Sequence, residues 1–147
     1  MTLTQPELEA WGERIGAEVA TPVFFALRGE LGAGKSVLAR AIARGAGVRA
    51  SMPSPTFNLV FRYDGRDGLE VVHMDLYRLE RADEVWELGW RELGGEGEIA
   101  LVEWAERAER LLPSDRWDIR LEHAGPDRRT VAACAVGTVP RLPAIGD

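Results

Sequence analysis

The apolar positions at the start of the chain recur with the spacing of one helix face. They follow one another at intervals of about one helical turn. Residues 4–7 (Thr-Gln-Pro-Glu) precede them and have the pattern of a capping box, in which two side chains bond to the amides that a helix start leaves free. We therefore expect an amphipathic helix that ends where Thr21-Pro22 breaks the pattern. The spaced apolar residues are Leu8, Trp11, Ile15 and Val19.

Two short runs farther along contain no polar residue. Residues 23–27 and 99–102 have the continuous apolar character of strands that are buried on both faces, as in a parallel sheet. A glycine-rich segment follows the first run, and residues 36–44 then have helical spacing up to Gly45 and Gly47. Because ligands of open α/β sheets bind at the carboxyl ends of such strands, these two ends are the first place to look for a site.

The other elements add antiparallel pairs to this parallel core. Strands 56–63 and 69–77 are predicted to form a hairpin around the turn 64–68, and strands 117–123 and 130–136 a second pair. Between the pairs we expect a helix at 83–93, a flexible link at 94–97 and a short helix that reaches Leu112. The order α-β-α-β-β-α-β-α-β-β predicts one α/β domain over residues 1–136, mostly parallel with antiparallel additions, and a loose tail over 137–147.

Composition limits the classes of protein. The length of 147 residues suits one domain, no apolar run approaches the ~20 residues of a membrane span, and the N-terminus lacks the pattern of a secretory signal. The single cysteine, Cys134, cannot form a disulfide within the chain, which fits a reducing cytosol, and its place in an apolar run predicts a buried core position. The formal charge of −6 argues against autonomous binding of a nucleic-acid backbone.

Residues 29–36, Gly-Glu-Leu-Gly-Ala-Gly-Lys-Ser, match the P-loop pattern G-x-x-x-x-G-K-[ST] between a predicted strand and a predicted helix. Glycines let the backbone amides wrap around a phosphate, and the helix start adds a partial positive charge. Lys35 is then expected to reach the β- and γ-phosphates, and the Ser36 hydroxyl to ligate Mg²⁺. This predicts a nucleotide-binding protein with a P-loop NTPase-like, three-layer α/β sandwich.

Lys35 is also the only lysine among the 18 basic residues, the rest being arginines. A chain that uses arginine for every other cation keeps a lysine where a compact point charge on a thin stem is needed.

A P-loop site needs a carboxylate at the end of a neighbouring strand, to hold Mg²⁺ or orient water. Glu103 follows the run 99–102, as in a Walker B strand, and Asp75 follows the apolar residues of the strand 69–77. Both remain candidates, and a solvated acid at a strand end is the alternative for each.

Other P-loop classes fit less well. The guanine-reading motif Asn-Lys-x-Asp is absent, because the single asparagine, Asn58, precedes Leu59, and no Asp-x-x-Gly sensor is present, so a GTPase is disfavoured. A small-molecule kinase would need an arginine-rich lid. The segment 107–110 (Arg-Ala-Glu-Arg) could form part of one but is equally typical of a solvated helix face, and the chain is short for a kinase with an acceptor pocket.

Four motifs in order resemble one family. They are residues 29–36 above, Ser-Pro-Thr-Phe at 54–57, His-Met-Asp-Leu-Tyr-Arg-Leu at 73–79 and Leu-Val-Glu-Trp at 101–104. Together they are similar to the TsaE (YjeE) family, bacterial ATPases of tRNA threonylcarbamoyladenosine synthesis, over about residues 7–136. The resemblance implies a cytosolic protein that binds ATP or ADP with Mg²⁺ and acts with TsaB and TsaD. It also implies that TsaD transfers the threonylcarbamoyl group to the adenosine beside the anticodon. The family member hydrolyses ATP to reset that complex, and tRNA is met only through the partners.

The resemblance also assigns residue roles. It implies that Asp75 and Glu103 form the acidic side of the site and that Thr56 is a switch threonine that senses the γ-phosphate. Trp104 would be a functional aromatic, although its spacing alone favours the core. Arg129 is a further candidate for nucleotide contact. The family often has a second hydroxyl where this chain has Val37, so that hydroxyl's role is in doubt here. The expected nucleotide-contacting residues are Glu30, Leu31, Gly32, Ala33, Gly34, Lys35, Ser36, Val37, Trp104 and Arg129.

Two classes of function stay open on the sequence alone. One is an ATP-hydrolysing enzyme that partners activate, and the other is a nucleotide-dependent scaffold in which bound ATP orders an interface. Both need the same phosphate cradle, so the sequence does not separate them.

Overall fold

The computed structural model describes residues 1–50 and 59–145, and the strands in those ranges form one seven-stranded sheet in the order β1-β7-β6-β2-β5-β4-β3. The strands are β1 (Thr2–Thr4), β2 (Val23–Gly29), β3 (Val60–Asp64), β4 (Glu70–Asp75), β5 (Glu98–Glu103), β6 (Arg116–His123) and β7 (Arg128–Val136). The helices are α1 (Gln5–Glu18) and α2 (Lys35–Gly45).

The centre of the sheet is parallel, as predicted. Strands β6, β2, β5 and β4 pair in parallel, while β3, β7 and β1 are antiparallel additions at the two sides. Residues 23–27 of the middle strand β2 are all apolar because their side chains alternate between two cores. Phe25 and Leu27 pack on the face of α1 and α2, and Phe24 and Ala26 pack on the other face. The predicted α/β fold class is therefore confirmed.

One outer layer consists of the two α-helices. The Thr4 hydroxyl accepts a hydrogen bond from the Glu7 amide, and the Glu7 carboxylate accepts one from the Thr4 amide at 2.9 Å, which is the predicted capping box. Where α1 crosses α2, Gly16 lies directly against the backbone of α2, so the two helices approach more closely than side chains would allow. This contact packs the end of α1 against the C-terminal end of α2.

The other outer layer differs from the prediction. The expected helix 83–93 is two 3₁₀ segments, Ala82–Leu88 and Trp90–Glu92, because Gly89 between them has a left-handed φ of 83° that stops a continuous helix. The short helix expected to reach Leu112 is also a 3₁₀ segment, Ala105–Leu111, with a kink at Ala108. These segments still cover the second core, so the three-layer arrangement holds although the type of helix was wrong.

Three other details depart from expectation. Strand β1 was not predicted. The described part of the predicted strand 56–63 is β3, and Thr56, with the rest of the 54–57 motif, lies outside the described residues. Cys134 is exposed rather than buried, because among the small apolar residues of β7 only Val131 reaches the core.

The C-terminal segment was expected to be loose, but up to residue 145 it packs on the domain. The indole nitrogens of Trp117 and Trp11 donate to the carbonyl oxygens of Pro140 and Pro143, at 2.8 and 2.9 Å, and Leu142 packs against the core. None of the helices within the described ranges has both the length and the apolar character of a membrane span.

Candidate nucleotide-binding site

Residues 29–36 connect the end of β2 to the start of α2 and form the predicted loop. Gly34, immediately before α2, has a φ of 108°, which strains any residue with a side chain. A Cβ atom there would lie 3.2 Å from Leu8 Cδ2, so the absence of a side chain also permits close packing of α1. The Ala33 amide donates to the Glu30 carbonyl at 3.1 Å and tightens the turn. The loop therefore places the unpaired amides and partial positive charge of the α2 N-terminus at this edge of the sheet.

The Lys35 ammonium is buried in this loop, with only 4% of the residue exposed. Its Nζ donates to the carbonyl oxygens of Gly29 and Glu30, the second at 2.8 Å. Burial lowers the pKa of Lys35 below its ordinary value, while the Glu103 and nearby carboxylates oppose that shift. The fold thus holds the Lys35 ammonium between two loop carbonyl oxygens. Because the ammonium is positively charged, it favours an anionic ligand at this place.

Glu103 ends β5 and connects the loop to the sheet. Strand β5 lies beside β2 with Glu103 opposite Leu27, and the Glu103 side chain is almost fully buried. One carboxylate oxygen, Oε1, accepts a hydrogen bond from Ser36 Oγ at 2.8 Å, and the other, Oε2, contacts His73 Nε2. The Glu103 carboxylate, predicted from a strand end, therefore accepts a hydrogen bond from the Ser36 hydroxyl, predicted from the loop.

Asp75 lies beside Glu103, because these two residues are opposite each other in the parallel pairing of β4 and β5. Asp75 Oδ1 accepts a hydrogen bond from the Tyr77 amide at 3.0 Å. Burial raises the pKa of Asp75, and the Tyr77 amide partly offsets this. Adjacent parallel strands thus bring both candidate carboxylates to the edge of the sheet that carries the loop.

Trp104 follows Glu103 and turns its ring toward the site. Its φ of 57° and ψ of 41° lie in the left-handed region, which is uncommon for a bulky residue. Lys35 Nζ lies 4.1 Å from the centroid of the indole ring, a cation–π contact, and the Tyr77 ring packs on Trp104 at 4.9 Å between centroids. Trp104 is partly exposed, so it is a residue of the site as well as a neighbour of the core.

These groups surround a cleft of about 330 Å³, which falls within the range of small-ligand sites. Ten predicted site residues line it, whereas Glu30 accepts a hydrogen bond from Lys35 through its carbonyl oxygen and Ala33 of the loop is buried. The structure does not describe Thr56. The predicted residues that line the cleft are Leu31, Gly32, Gly34, Lys35, Ser36, Val37, Asp75, Glu103, Trp104 and Arg129.

Some lining residues were not predicted. Tyr77 and Arg78 belong to the motif 73–79, so the motif was a signal that could have identified them. Gln5 and Leu8 also line the cleft, but they come from α1, which has only an amphipathic pattern and no motif. Their position depends on the packing of α1 over Gly34, which local sequence does not reveal.

Comparisons with known proteins agree on one family. The sequence profile described as "Threonylcarbamoyl adenosine biosynthesis protein TsaE" matches residues 2–131. The chain is 42% identical over 113 residues to the Bacillus subtilis (strain 168) protein named tRNA threonylcarbamoyladenosine biosynthesis protein TsaE, covering 76% of this chain and 68% of that one. It is 34% identical to the protein of the same name from Treponema pallidum (strain Nichols), covering 70% and 75% of the two chains. The crystal structure of Bacillus subtilis YdiB superposes with a TM-score of 0.72 at 30% identity, covering 93% of this chain and 86% of that chain.

Proposed function

We propose a function from the family, since this chain belongs to the TsaE family of threonylcarbamoyl adenosine biosynthesis proteins. In our proposal it is the ATP-binding and ATP-hydrolysing component of the machinery that forms N6-threonylcarbamoyladenosine in tRNA. In this proposal the protein acts in the cytoplasm with TsaB and TsaD. ATP hydrolysis resets the transferase complex between turnovers, and tRNA is held by the partners. The net charge of −6 supports an indirect role toward tRNA.

The observation that carries the proposal is the hydrogen bond between Ser36 Oγ and Glu103 Oε1 beside the buried ammonium of Lys35. Lys35 and Ser36 are the first two residues of α2, directly after the loop, and Glu103 ends the adjacent strand β5, which are the places from which phosphoryl transfer in P-loop proteins draws its lysine, hydroxyl and carboxylate. Lys35 would neutralise charge on the β- and γ-phosphates, and the amides at the start of α2 would bind phosphate oxygens. A glycine turn with only a structural role would not need this arrangement.

The donor set at this site also fits Mg²⁺. The Ser36 hydroxyl and the Glu103 carboxylate are hard oxygen donors 2.8 Å apart, and Mg²⁺ is commonly bound by one or two protein oxygens together with substrate phosphate and waters. Ser36 and Glu103 would hold the ion, with Asp75 at the neighbouring strand end as the second carboxylate. When bound, Mg²⁺ neutralises phosphate charge and favours attack by water. The remaining requirement, the orientation of that water, falls to one of the two carboxylates.

Replacing the carboxylates one at a time will separate their roles. We expect Glu103→Gln to reduce Mg²⁺-dependent hydrolysis strongly and Mg²⁺-free nucleotide binding little, since the amide keeps the shape but removes the charge beside Ser36. Asp75→Asn should give the smaller metal defect, because the Asp75 carboxylate accepts from the Tyr77 amide rather than from Ser36. Mg²⁺ titrations of hydrolysis and of ADP binding measure both effects. A larger metal defect in Asp75→Asn would reverse the assignment, and normal hydrolysis in both variants would remove the metal site from the proposal.

Release of inorganic phosphate by the purified chain, alone and with TsaB and TsaD, tests the function as a whole. Isolated P-loops hydrolyse slowly unless water and a γ-phosphate sensor are well placed. We therefore expect low basal hydrolysis that rises several-fold with both partners. Binding of ATP without hydrolysis under either condition would favour the scaffold instead. A basal rate that the partners leave unchanged would favour a self-sufficient enzyme.

Within the same assay, Thr56→Ala should abolish the partner-dependent increase more than the basal rate, since a γ-phosphate sensor assists hydrolysis only once it contacts the phosphate. Ser54→Ala is the matched control, because it removes a hydroxyl from the same motif and should leave the stimulation intact. Equal stimulation of Thr56→Ala and the unaltered chain would contradict the sensor role.

A further inference from the structure

His73 is a buried polar residue in a strand that is otherwise built for the core. It lies in β4 between Val72 and Met74, and none of its surface is exposed. Side chains alternate along a strand, so His73 points to the opposite face from these two neighbours, the face on which α1 and α2 pack. Placing an imidazole there costs free energy unless a partner compensates.

That partner is Glu103. The pairing of β4 with β5 places His73 opposite Leu101, and its ring reaches forward so that Nε2 contacts Glu103 Oε2. Within the described residues, the other ring nitrogen, Nδ1, is buried and has no hydrogen-bond partner. A carboxylate only accepts hydrogen bonds, so the ring must carry a proton on Nε2 to form this contact. The polar side of His73 is therefore directed at a single group of the candidate site.

With this contact, the two oxygens of the Glu103 carboxylate have different hydrogen-bond partners. His73 occupies Oε2 from the strand side, and Oε1 is thereby turned toward Ser36 Oγ. Without His73, the carboxylate could rotate about its terminal torsion, which has a broad energy profile, and Oε2 would be buried without a donor. A purely structural imidazole would not need to meet the one acid that is bonded to the P-loop serine.

We propose that His73 is a positioning residue that holds Glu103, through an Nε2–H···Oε2 hydrogen bond, in the orientation that presents Oε1 to Ser36 and to the Mg²⁺ that the proposed function requires. The inference rests on that proposed function and adds to it a role for His73, a buried polar residue of the motif 73–79 that does not line the cleft. Groups that orient a metal ligand in this way typically contribute about 10- to 100-fold to metal affinity or activity.

Two substitutions at His73 separate positioning from simple packing. His73→Gln keeps a neutral N–H donor near the place of Nε2, whereas His73→Leu fills the space without a donor. For His73→Leu we expect ADP binding in EDTA within about twofold of the unaltered chain, but Mg²⁺ affinity in the presence of ADP at least about tenfold weaker. His73→Gln should recover most of that loss. Isothermal titration of ADP and of Mg²⁺ measures both quantities, without relying on turnover.

The hydrogen bond itself can be observed in the nucleotide-free protein. The chain has two histidines, so the His123→Gln variant leaves only His73 in a long-range ¹H–¹⁵N spectrum of imidazole groups. We expect a protonated Nε2 whose proton resonance moves when Glu103→Gln is added. An unprotonated Nε2 would overturn the inference and leave the proposed function standing.

The titrations add two further contrary outcomes. Equal Mg²⁺ affinity in His73→Leu and the unaltered chain, or equal losses in the Leu and Gln variants, would also overturn the positioning role. If the unaltered chain binds no nucleotide, the proposed function fails and the inference fails with it. The spectrum tells this outcome apart from a missing hydrogen bond, because it detects the Nε2 proton without any nucleotide.

Discussion

Lys35→Ala is expected to lower ATP hydrolysis at least about 100-fold, into the background of the assay, since removing one preorganised electrostatic donor typically costs about 10²–10³ in rate. Lys35 is the single lysine of the chain, and burial holds its ammonium at the loop, so no other lysine can replace it. Lys35→Arg should recover little, because a planar fork is larger than the space that the ammonium occupies beside Trp104. Phosphate release and ADP titration measure the loss of turnover and of binding.

The fold should survive this change. Lys35→Ala removes hydrogen bonds to two loop carbonyls, which corresponds to about 1 kcal/mol each and leaves the two cores intact. Arg49→Ala is the control, since Arg49 is an exposed cation beyond the opposite end of α2 and should leave hydrolysis unchanged. Full activity in Lys35→Ala would mean that residues 29–36 are not a phosphate-binding loop.

Gly16→Ala is expected to destabilise the protein although alanine favours helices. A Cβ atom at Gly16 would lie 1.9 Å from the Ile42 carbonyl oxygen and 2.6 Å from the Ala46 amide nitrogen, both of them backbone atoms that cannot rotate away. Overpacking of this kind costs about 3 kcal/mol, and the helix preference of alanine returns about 1 kcal/mol. We therefore expect a net loss of about 2 kcal/mol in the free energy of unfolding, measured by urea denaturation.

Gly95→Ala is the matched control for Gly16→Ala. Gly95 is exposed, its φ is compatible with a side chain, and a Cβ atom there would lie at an ordinary 3.8 Å from the Glu92 carbonyl oxygen. Its free energy of unfolding should change little. If Gly16→Ala proved as stable as the unaltered chain, the close crossing of α1 and α2 would be wrong.

The sequence predicted the parts of the fold that depend on local pattern. The continuous apolar runs 23–27 and 99–102 placed β2 and β5 correctly because the middle of each strand is buried on both faces. The loop at 29–36 and the acid at position 103 followed from strand ends that must meet at one edge of a parallel sheet. In these cases a short stretch of sequence determines both the secondary-structure element and the position of the functional side chain at its end.

Features set by distant contacts were not predictable in the same way. The apolar spacing around Trp86 is that of an α-helix. The structure has 3₁₀ segments there instead, interrupted at Gly89 and packed on the core on the face of the sheet opposite α1 and α2. The apolar run around Cys134 suggested burial, whereas only packing decides which face of β7 is covered. Leu8 joins the cleft solely because α1 lies over Gly34.

The pairing of β1 with β7 has a consequence for the order in which the protein is completed on the ribosome. Thr2 lies opposite Thr130, and among the described strands β1 pairs with β7, so this pairing waits until β7 has been synthesised. Arg129 of β7 lines the same cleft as Gln5 of α1. A nascent chain therefore contains residues 29–36 long before β7 can complete the cleft beside them, and such dependence on distant pairing generally slows folding.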